Sequence, residues 1–581
     1  MSFSFRSYRR ALTRYDSVPA YALLGIIAGL SSGAAVILFE HGIDQLGLLW
    51  GVGNRAENFE ALDTLTRFLL PVLGGLALGI VFSFLRPEDR EVGIVHVISR
   101  LHSSYGMLPW RNAMVQFFGG IVALATGQSG GREGPGVHLG SAINSIIGQR
   151  LALPNNSLRI LIACGSAGGI AAAFNTPLAG VIFAMEVIIV EYTVVGFMPV
   201  MLSAVAASVL SQRLGGGSEI FDMSSAQLTT LWEIPYIALL GFLSGCAAAM
   251  LIRASTISAS FSSWPVMLRF TLAGAVTGAF GVTIPETLGI GYDTLGNVMY
   301  GQVALGALLL IAGAKIFATA VSVGFGMPVG LIGPTLLIGA CLGGFFGLLG
   351  HELYPAIAPD PKLYVTIGMA AAMGATFGAP LAACLAVIEL TQSTSVAMPA
   401  MLAIIVANLT NISVFRQRSA HRSVIGQLRR QLPNDPLNQL LHRTDVNAVI
   451  DGSVVVIAEQ VKPAVSATLA VQVPNWCLVS REGEDLFLVN GQDLMAWLNE
   501  APKVDDSDGT EIRSVTESTL RRWTIAVVPE QATLRQVLDI LKARTVEAVC
   551  VYTRGNRGER SLRGIVTRDR IERFTLDQLN T

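Results

Sequence analysis

From residue 18 to 415 one apolar stretch follows another, and several are too short to cross a bilayer. They fall at about 18–39, 67–85, 110–126, 158–172, 177–190, 192–211, 231–252, 266–283, 303–322, 334–349, 363–374, 379–391 and 396–415. A spanning helix needs ~20 residues, so stretches such as 177–190 and 379–391, opening at or beside Pro177 and Pro380, stop part-way. Lipid offers no hydrogen bonds, so such ends must line protein or a polar cavity. That is the pattern of broken helices meeting around a binding site. Composition agrees: 52% of residues are hydrophobic and 14% charged, against roughly 25% charged in a soluble protein. A net charge of -1 argues neither for nor against nucleic acid, and no such partner is expected. The six cysteines, Cys164, Cys246, Cys341, Cys384, Cys477 and Cys550, show no paired spacing and read as packed thiols with no metal site.

One polar segment interrupts this background: Gly127-Gln128-Ser129-Gly130-Gly131-Arg132-Glu133-Gly134-Pro135-Gly136. Charge at membrane depth is costly and therefore informative. Glycines let the backbone approach a ligand, and Pro135 suits a first helical turn. Free amides opening into a helix N-terminus favour an anion. Glu133 is itself an anion, so it reads as a plug that leaves when protonated or displaced. Arg132 beside it lends positive potential or anchors the loop. His138, farther along the same helix, reads as a packed histidine.

The sequence also repeats. Gly165, Phe174, Pro177 and Glu186 recur as Gly368, Phe377, Pro380 and Glu389, and Gly131-Arg-Glu-Gly-Pro135 with Gly140 recurs as Gly330-Leu-Ile-Gly-Pro334 with Gly339. Two inverted halves would bring four loop–helix starts to one point at the midplane. Glu186 and Glu389 then share a structural role, satisfying buried helix ends. Residues 1–17, rich in arginine, read as a cytoplasmic helical lead-in, 18–430 as the membrane domain and 431–444 as a linker, with a basic juxtamembrane stretch over 416–443 on the cytoplasmic side. From 445 to 581, β-branched runs alternating with amphipathic helices read as a soluble α/β module of two units.

These residues resemble the CLC family of chloride channels and chloride/proton antiporters, followed by a pair of CBS motifs. The Gly-Arg-Glu-Gly-Pro loop with Phe174-Asn175-Thr-Pro177-Leu-Ala-Gly carries the likeness. The resemblance implies an all-α polytopic fold of two inverted repeats with a cytoplasmic CBS pair. It also implies a homodimer in a bacterial inner membrane, both termini cytoplasmic, with chloride and protons as partners and Glu133 as the gate. Anion-binding positions then fall on Val92, Gly93, Ile94, Gly131, Arg132, Gly134, Pro135, Gly330, Leu331 and Ile332. The family's first loop usually reads Gly-Ser-Gly-Ile-Pro; here it is Glu91-Val92-Gly93-Ile94-Val95, so Val92 replaces a hydroxyl. The third loop lacks its phenylalanine, and the inner tyrosine falls on His421, or on Ile425 with a short insertion. The inner proton-carrying glutamate falls on Val187, which cannot carry a proton.

The resulting expectation is a CLC-type chloride channel sensitive to voltage and pH. A proton-coupled chloride or fluoride antiporter is the alternative. A non-conducting nucleotide-sensing membrane protein is a second one. No enzyme is expected, since nucleophile–base pairs and phosphate loops are lacking. No cofactor is expected either. Adenine nucleotide at the CBS pair stays open, because Arg570 stands where an aspartate would grip the ribose, Asp569 comes one residue early, and Asp493 follows Asn490 by three.

Overall fold

The computed structural model describes residues 18–52, 58–104, 106–153, 155–190, 194–215, 230, 232–353, 361–428, 440–441, 444–461, 469, 473–481, 484–499, 513–543, 546–554 and 560–579. Residues 1–17 and most of the 431–444 linker lie outside them. The chain divides into a helical unit and a smaller α/β unit towards the C-terminus.

In the helical unit, the first half runs α1 (Val18–Leu48), α2 (Thr64–Phe84), α3 (Gly93–Ser103), α4 (Trp110–Ala125), α5 (Glu133–Arg150), α6 (Asn155–Phe174), α7 (Pro177–Phe183) and α8 (Val194–Leu214). The second half runs α9 (Glu233–Ser260), α10 (Val266–Thr283), α11 (Tyr292–Met299), α12 (Leu305–Gly324), α13 (Ile332–Leu353), α14 (Pro361–Phe377), α15 (Pro380–Thr391) and α16 (Ala397–Leu409), and α17 (Ala420–Gln427) follows. Among the described residues, nine helices are long and apolar enough to cross a membrane. Helices α7 and α15 are shorter, and α3 and α11 lie where the sequence shows no apolar stretch.

The repeat is a packing device. Helices α5 and α6 cross where a Cβ on Gly140 would lie 2.2 Å from the Gly165 carbonyl oxygen, and α13 and α14 where a Cβ on Gly339 would lie 2.3 Å from that of Gly368. Glycine at both positions is what lets the backbones touch. Helices α7 and α15 open on prolines, and their N-caps, Thr176 and Ala379, supply no side-chain hydrogen bond. The orphan amides are satisfied across the repeat instead. Glu389 accepts from Leu178 N at 2.9 Å and Ala179 N at 2.8 Å, and Glu186 accepts from Leu381 N at 3.2 Å and Ala382 N at 2.9 Å. The symmetry breaks after α7, which continues as a π-helical turn over Ala184–Ile189, whereas α15 is regular.

The α/β unit repeats one topology. In one sheet β1 (Val454–Ala458) lies parallel to β3 (Trp476–Arg481), which pairs antiparallel with β4 (Glu484–Asn490) before α18 (Gly491–Asn499). The short strands β2 (Gln460–Val461) and β5 (Arg513–Ser514) pair antiparallel. In the other sheet β6 (Ile525–Pro529) lies parallel to β7 (Ala548–Arg554), with α19 (Leu534–Ala543) between them. Strand β7 pairs antiparallel with β8 (Arg560–Thr567) before α20 (Arg568–Leu579). Leu488 and Trp523 exchange backbone hydrogen bonds of 3.1 and 2.8 Å between the two sheets.

Two predictions follow from these caps and turns. Glu186→Ala or Glu389→Ala leaves helix-start amides without acceptors, at a cost of about 1–3 kcal/mol each. Thermal unfolding in detergent should show both less stable than the corresponding Gln variants; equal stability would remove the capping role. In the α/β unit, burial pushes the Asp445 carboxyl up to about 6, opposed by the amide of Asn447. Its folded pKa exceeds its ordinary value, so the stability it contributes is present below about pH 4 and is lost as pH rises through about 6. Asp445→Asn should stabilise this unit by about 2–3 kcal/mol near neutral pH, the gain shrinking to nothing on acidification. Melting curves against pH check it.

Candidate functional site

The two repeat loops meet directly. Gly131 N donates to the Gly330 carbonyl at 2.8 Å, and Gly330 N donates to the Gly131 carbonyl at 2.7 Å, a single antiparallel rung. A Cβ on Gly134 would lie 2.6 Å from Gly330 Cα, so no larger residue fits without a shift. The rung brings the N-termini of α5 and α13 together, and their dipoles concentrate positive potential there.

Glu133, the first residue of α5, is fully buried at this point. Its carboxylate accepts from the Gly333 amide at the start of α13, at 3.2 Å, and from the Tyr292 hydroxyl. A Cβ on Gly131 would fall 2.2 Å from Glu133 Oε2, so that glycine makes room for the carboxylate. A side-chain anion thus occupies a seat built by a helix start and a phenol. Arg132 is paired with Glu40 of α1 at 3.2 Å, and its guanidinium lies 5.3 Å over the Tyr292 ring.

Sequence reasoning missed Tyr292. Its signal is the Gly289-Ile290-Gly291-Tyr292 run in the gap between apolar stretches, where Gly289 and Gly291 take φ +59° and +90°. The loop is stitched to the segment that bears Glu133. Gly289 N donates to Gly127 O at 3.1 Å, and Gly130 N donates to Gly289 O at 3.3 Å. Buried Lys315 holds it from the other side, donating to Thr287 O and Gly289 O at 3.1 and 2.9 Å.

A cavity of about 370 Å³ borders the same rung. It is lined in part by Val92, Gly93, Ile94, Gly134, Gly330, Leu331 and His421, so the structure assembles most of the expected anion-binding positions. Arg90 and Arg269 also line it, each guanidinium held by backbone carbonyls, Ser83 and Leu85 for the first and Trp264 and Phe325 for the second. Of the two residues on which the inner tyrosine position falls, His421 lines this space, while Ile425 packs fully buried in the core. The His421 ring stacks on Phe377, 5.4 Å between centroids, and its Nδ1 has no hydrogen-bond partner.

Several expected donors are otherwise engaged. The Gly93 amide, at φ +75°, donates to Gln116 Oε1 at 2.7 Å, and Gln116 Nε2 is itself tied to Pro328 O at 2.9 Å. The amides of Gly131 and Gly330 are consumed by the rung between them, and Pro135 has no N–H to offer. At the start of α13 it is Gly333, beside the expected Leu331 and Ile332, that holds the carboxylate. Val187 packs in the apolar core within the π-helical turn. Asn175, at φ +57°, accepts from Ser208 and Gln212 and so ties a turn. In the α/β unit Arg570 is engaged with Asp451 at 2.9 Å and with Val449 O. Among the described residues no group of three His, Cys, Asp or Glu could hold a metal ion.

The pattern of the voltage gated chloride channel family matches residues 73–411. The chain belongs to this family. A ClcB-like protein of Ralstonia nicotianae, whose name is that of a chloride channel, is 32% identical over 401 residues, covering 67% of this chain and 92% of the relative. The H(+)/Cl(-) exchange transporter ClcA of Vibrio cholerae is 30% identical over 440 residues, covering 73% and 92%. The CLC fold also matches a slow cyanobacterial Cl-/H+ antiporter, at TM-score 0.61 and 23% identity over 70% of this chain and 97% of that one. A eukaryotic CLC transporter matches at TM-score 0.58 and 19% identity, covering 94% of this chain and 97% of that one.

Tyr292→Phe removes one of the bonds that hold the Glu133 carboxylate in its seat. A hydrogen bond to a charged group is worth about 1.5–3 kcal/mol, so chloride, if it competes with the carboxylate for this seat, should bind roughly ten- to a hundredfold tighter. Titration calorimetry of chloride binding checks this, and unchanged affinity would exclude Tyr292 from the gate.

Proposed function

We propose that this protein is a proton-coupled chloride antiporter, a homodimer in a bacterial inner membrane with both termini cytoplasmic. The observation that carries the reading is the Glu133 carboxylate in a seat made by Gly333 N and the Tyr292 hydroxyl. Chloride and a carboxylate compete for one helix start, and a proton that neutralises the arm removes its claim on the site. Anion entry and proton uptake then become alternative occupancies of one place, the elementary requirement for exchange. The name of the ClcA relative supports exchange over the channel first expected. The arginines at the cavity wall would concentrate chloride there, and His421 would add a donor.

One observation favours the channel: Val187 is aliphatic and packed, so no proton passes there. Fluoride as the anion rests on Val92 alone, a lost hydroxyl, and chloride is preferred. The C-terminal pair of like sheets is read as a CBS scaffold that couples subunits; Arg570, tied to Asp451, leaves no aspartate at the ribose position.

Reversal potential under a chloride gradient, with and without a pH gradient, separates the readings: displacement by the proton gradient means antiport. Glu133→Gln removes the titrating arm, so chloride flux should persist while proton flux and most of its pH dependence vanish. Proton movement that survives in Glu133→Gln would sink the gate assignment.

A further inference from the structure

If the protein exchanges protons, they need a route to Glu133 that does not use Val187. We propose that His96 and His138 form that route, carrying protons between the cavity and the helix that bears the gate; this rests on the antiport reading above.

His96 sits on α3 and lines the cavity, while its ring is almost wholly buried. His138 sits on α5, fully buried, on the helix that Glu133 opens. His96 Nδ1 and His138 Nε2 are 2.9 Å apart, and the rings stack with centroids 5.2 Å apart. On the cavity side Glu91 Oε2 lies 3.8 Å from His96 Nε2. At the other end His138 Nδ1 is buried with no hydrogen-bond partner. A tie between two helices would need one nitrogen from each ring. The second nitrogen of His138 is left polar and unmet in a low-dielectric interior, a costly arrangement for packing alone. For a relay it is the exit.

The transfer balances without any further reagent. A proton leaves the Glu91 carboxyl and bonds to His96 Nε2, passed through one water across the 3.8 Å between them. The Nδ1–H bond of His96 breaks as its proton bonds to His138 Nε2, and the proton that His138 held on Nδ1 passes to the Glu133 carboxylate, which becomes neutral. Each ring ends neutral with its proton on the opposite nitrogen, and a ring turn or the reverse passage restores the start. His138 and Glu133 stand five positions apart on α5, ~7.5 Å of helical rise, an interval that the last transfer would cross through water. Among the described residues the charged group paired with the histidines is Glu91, at His96; of the neighbouring polar groups, Gln116 on α4 is engaged with the Gly93 amide and Glu40 on α1 with Arg132.

The test uses the full chain in proteoliposomes, with chloride release and proton uptake recorded together under a chloride gradient. His96→Gln and His138→Gln keep a hydrogen-bonding side chain but cannot relay a proton. Each should leave chloride release within about twofold while proton uptake falls roughly tenfold or more. The double variant should be no worse than either single one, because the two act in series. The relay is overturned if proton uptake is unchanged, if it falls only in proportion to chloride release, or if the two losses multiply. A wild-type protein that moves chloride with no proton uptake would overturn the antiport reading itself, and the relay with it.

Discussion

The rung between Gly131 and Gly330 is the contact on which the site depends. Its two hydrogen bonds fix the starts of α5 and α13 closer than any side chain would permit. From that spacing follow the doubled positive end, the seat at Gly333 and the position of Glu133 inside it. The rung has a cost in donors: each glycine spends its amide on the other and keeps none for an anion. The Glu133 carboxylate is accordingly held by an amide just past the rung, that of Gly333.

Around this point the polar groups divide their work. Tyr292 and Gly333 hold the arm, Lys315 fixes the Tyr292 loop, and Gln116 fixes the start of α3 by taking the Gly93 amide. With Val92 in place of a hydroxyl, the α3 start contributes shape and potential more than hydrogen bonds. His421, stacked on Phe377, places a polar side chain at the cavity wall.

Much of this could be read from the amino-acid order, because repeats and helix punctuation are local signals. The offset between Gly131 and Gly330 foretold loops that meet, and the matched glutamates foretold shared helix ends. Tyr292, Gln116 and the His96–His138 pair were not readable, since each acts on a partner far away in sequence. Helix α3 escaped for another reason: Ile94, Val97, Ile98 and Leu101 recur at helical spacing, but with His96, Arg100 and His102 among them the segment is too short and polar to stand out as an apolar stretch. The π-helical turn around Val187 left no mark in the sequence, where the matching segment after Pro380 is as apolar and stays regular.

The exchanged glutamate caps bear on how such a chain is made. Glu186 serves amides about two hundred positions later, and Glu389 serves amides already synthesised. The first half therefore emerges with the start of α7 unsatisfied and a carboxylate waiting for a helix that does not yet exist. Neither half can complete its own interior, so the halves must mature together, and the first has to be sheltered during synthesis until its counterpart arrives.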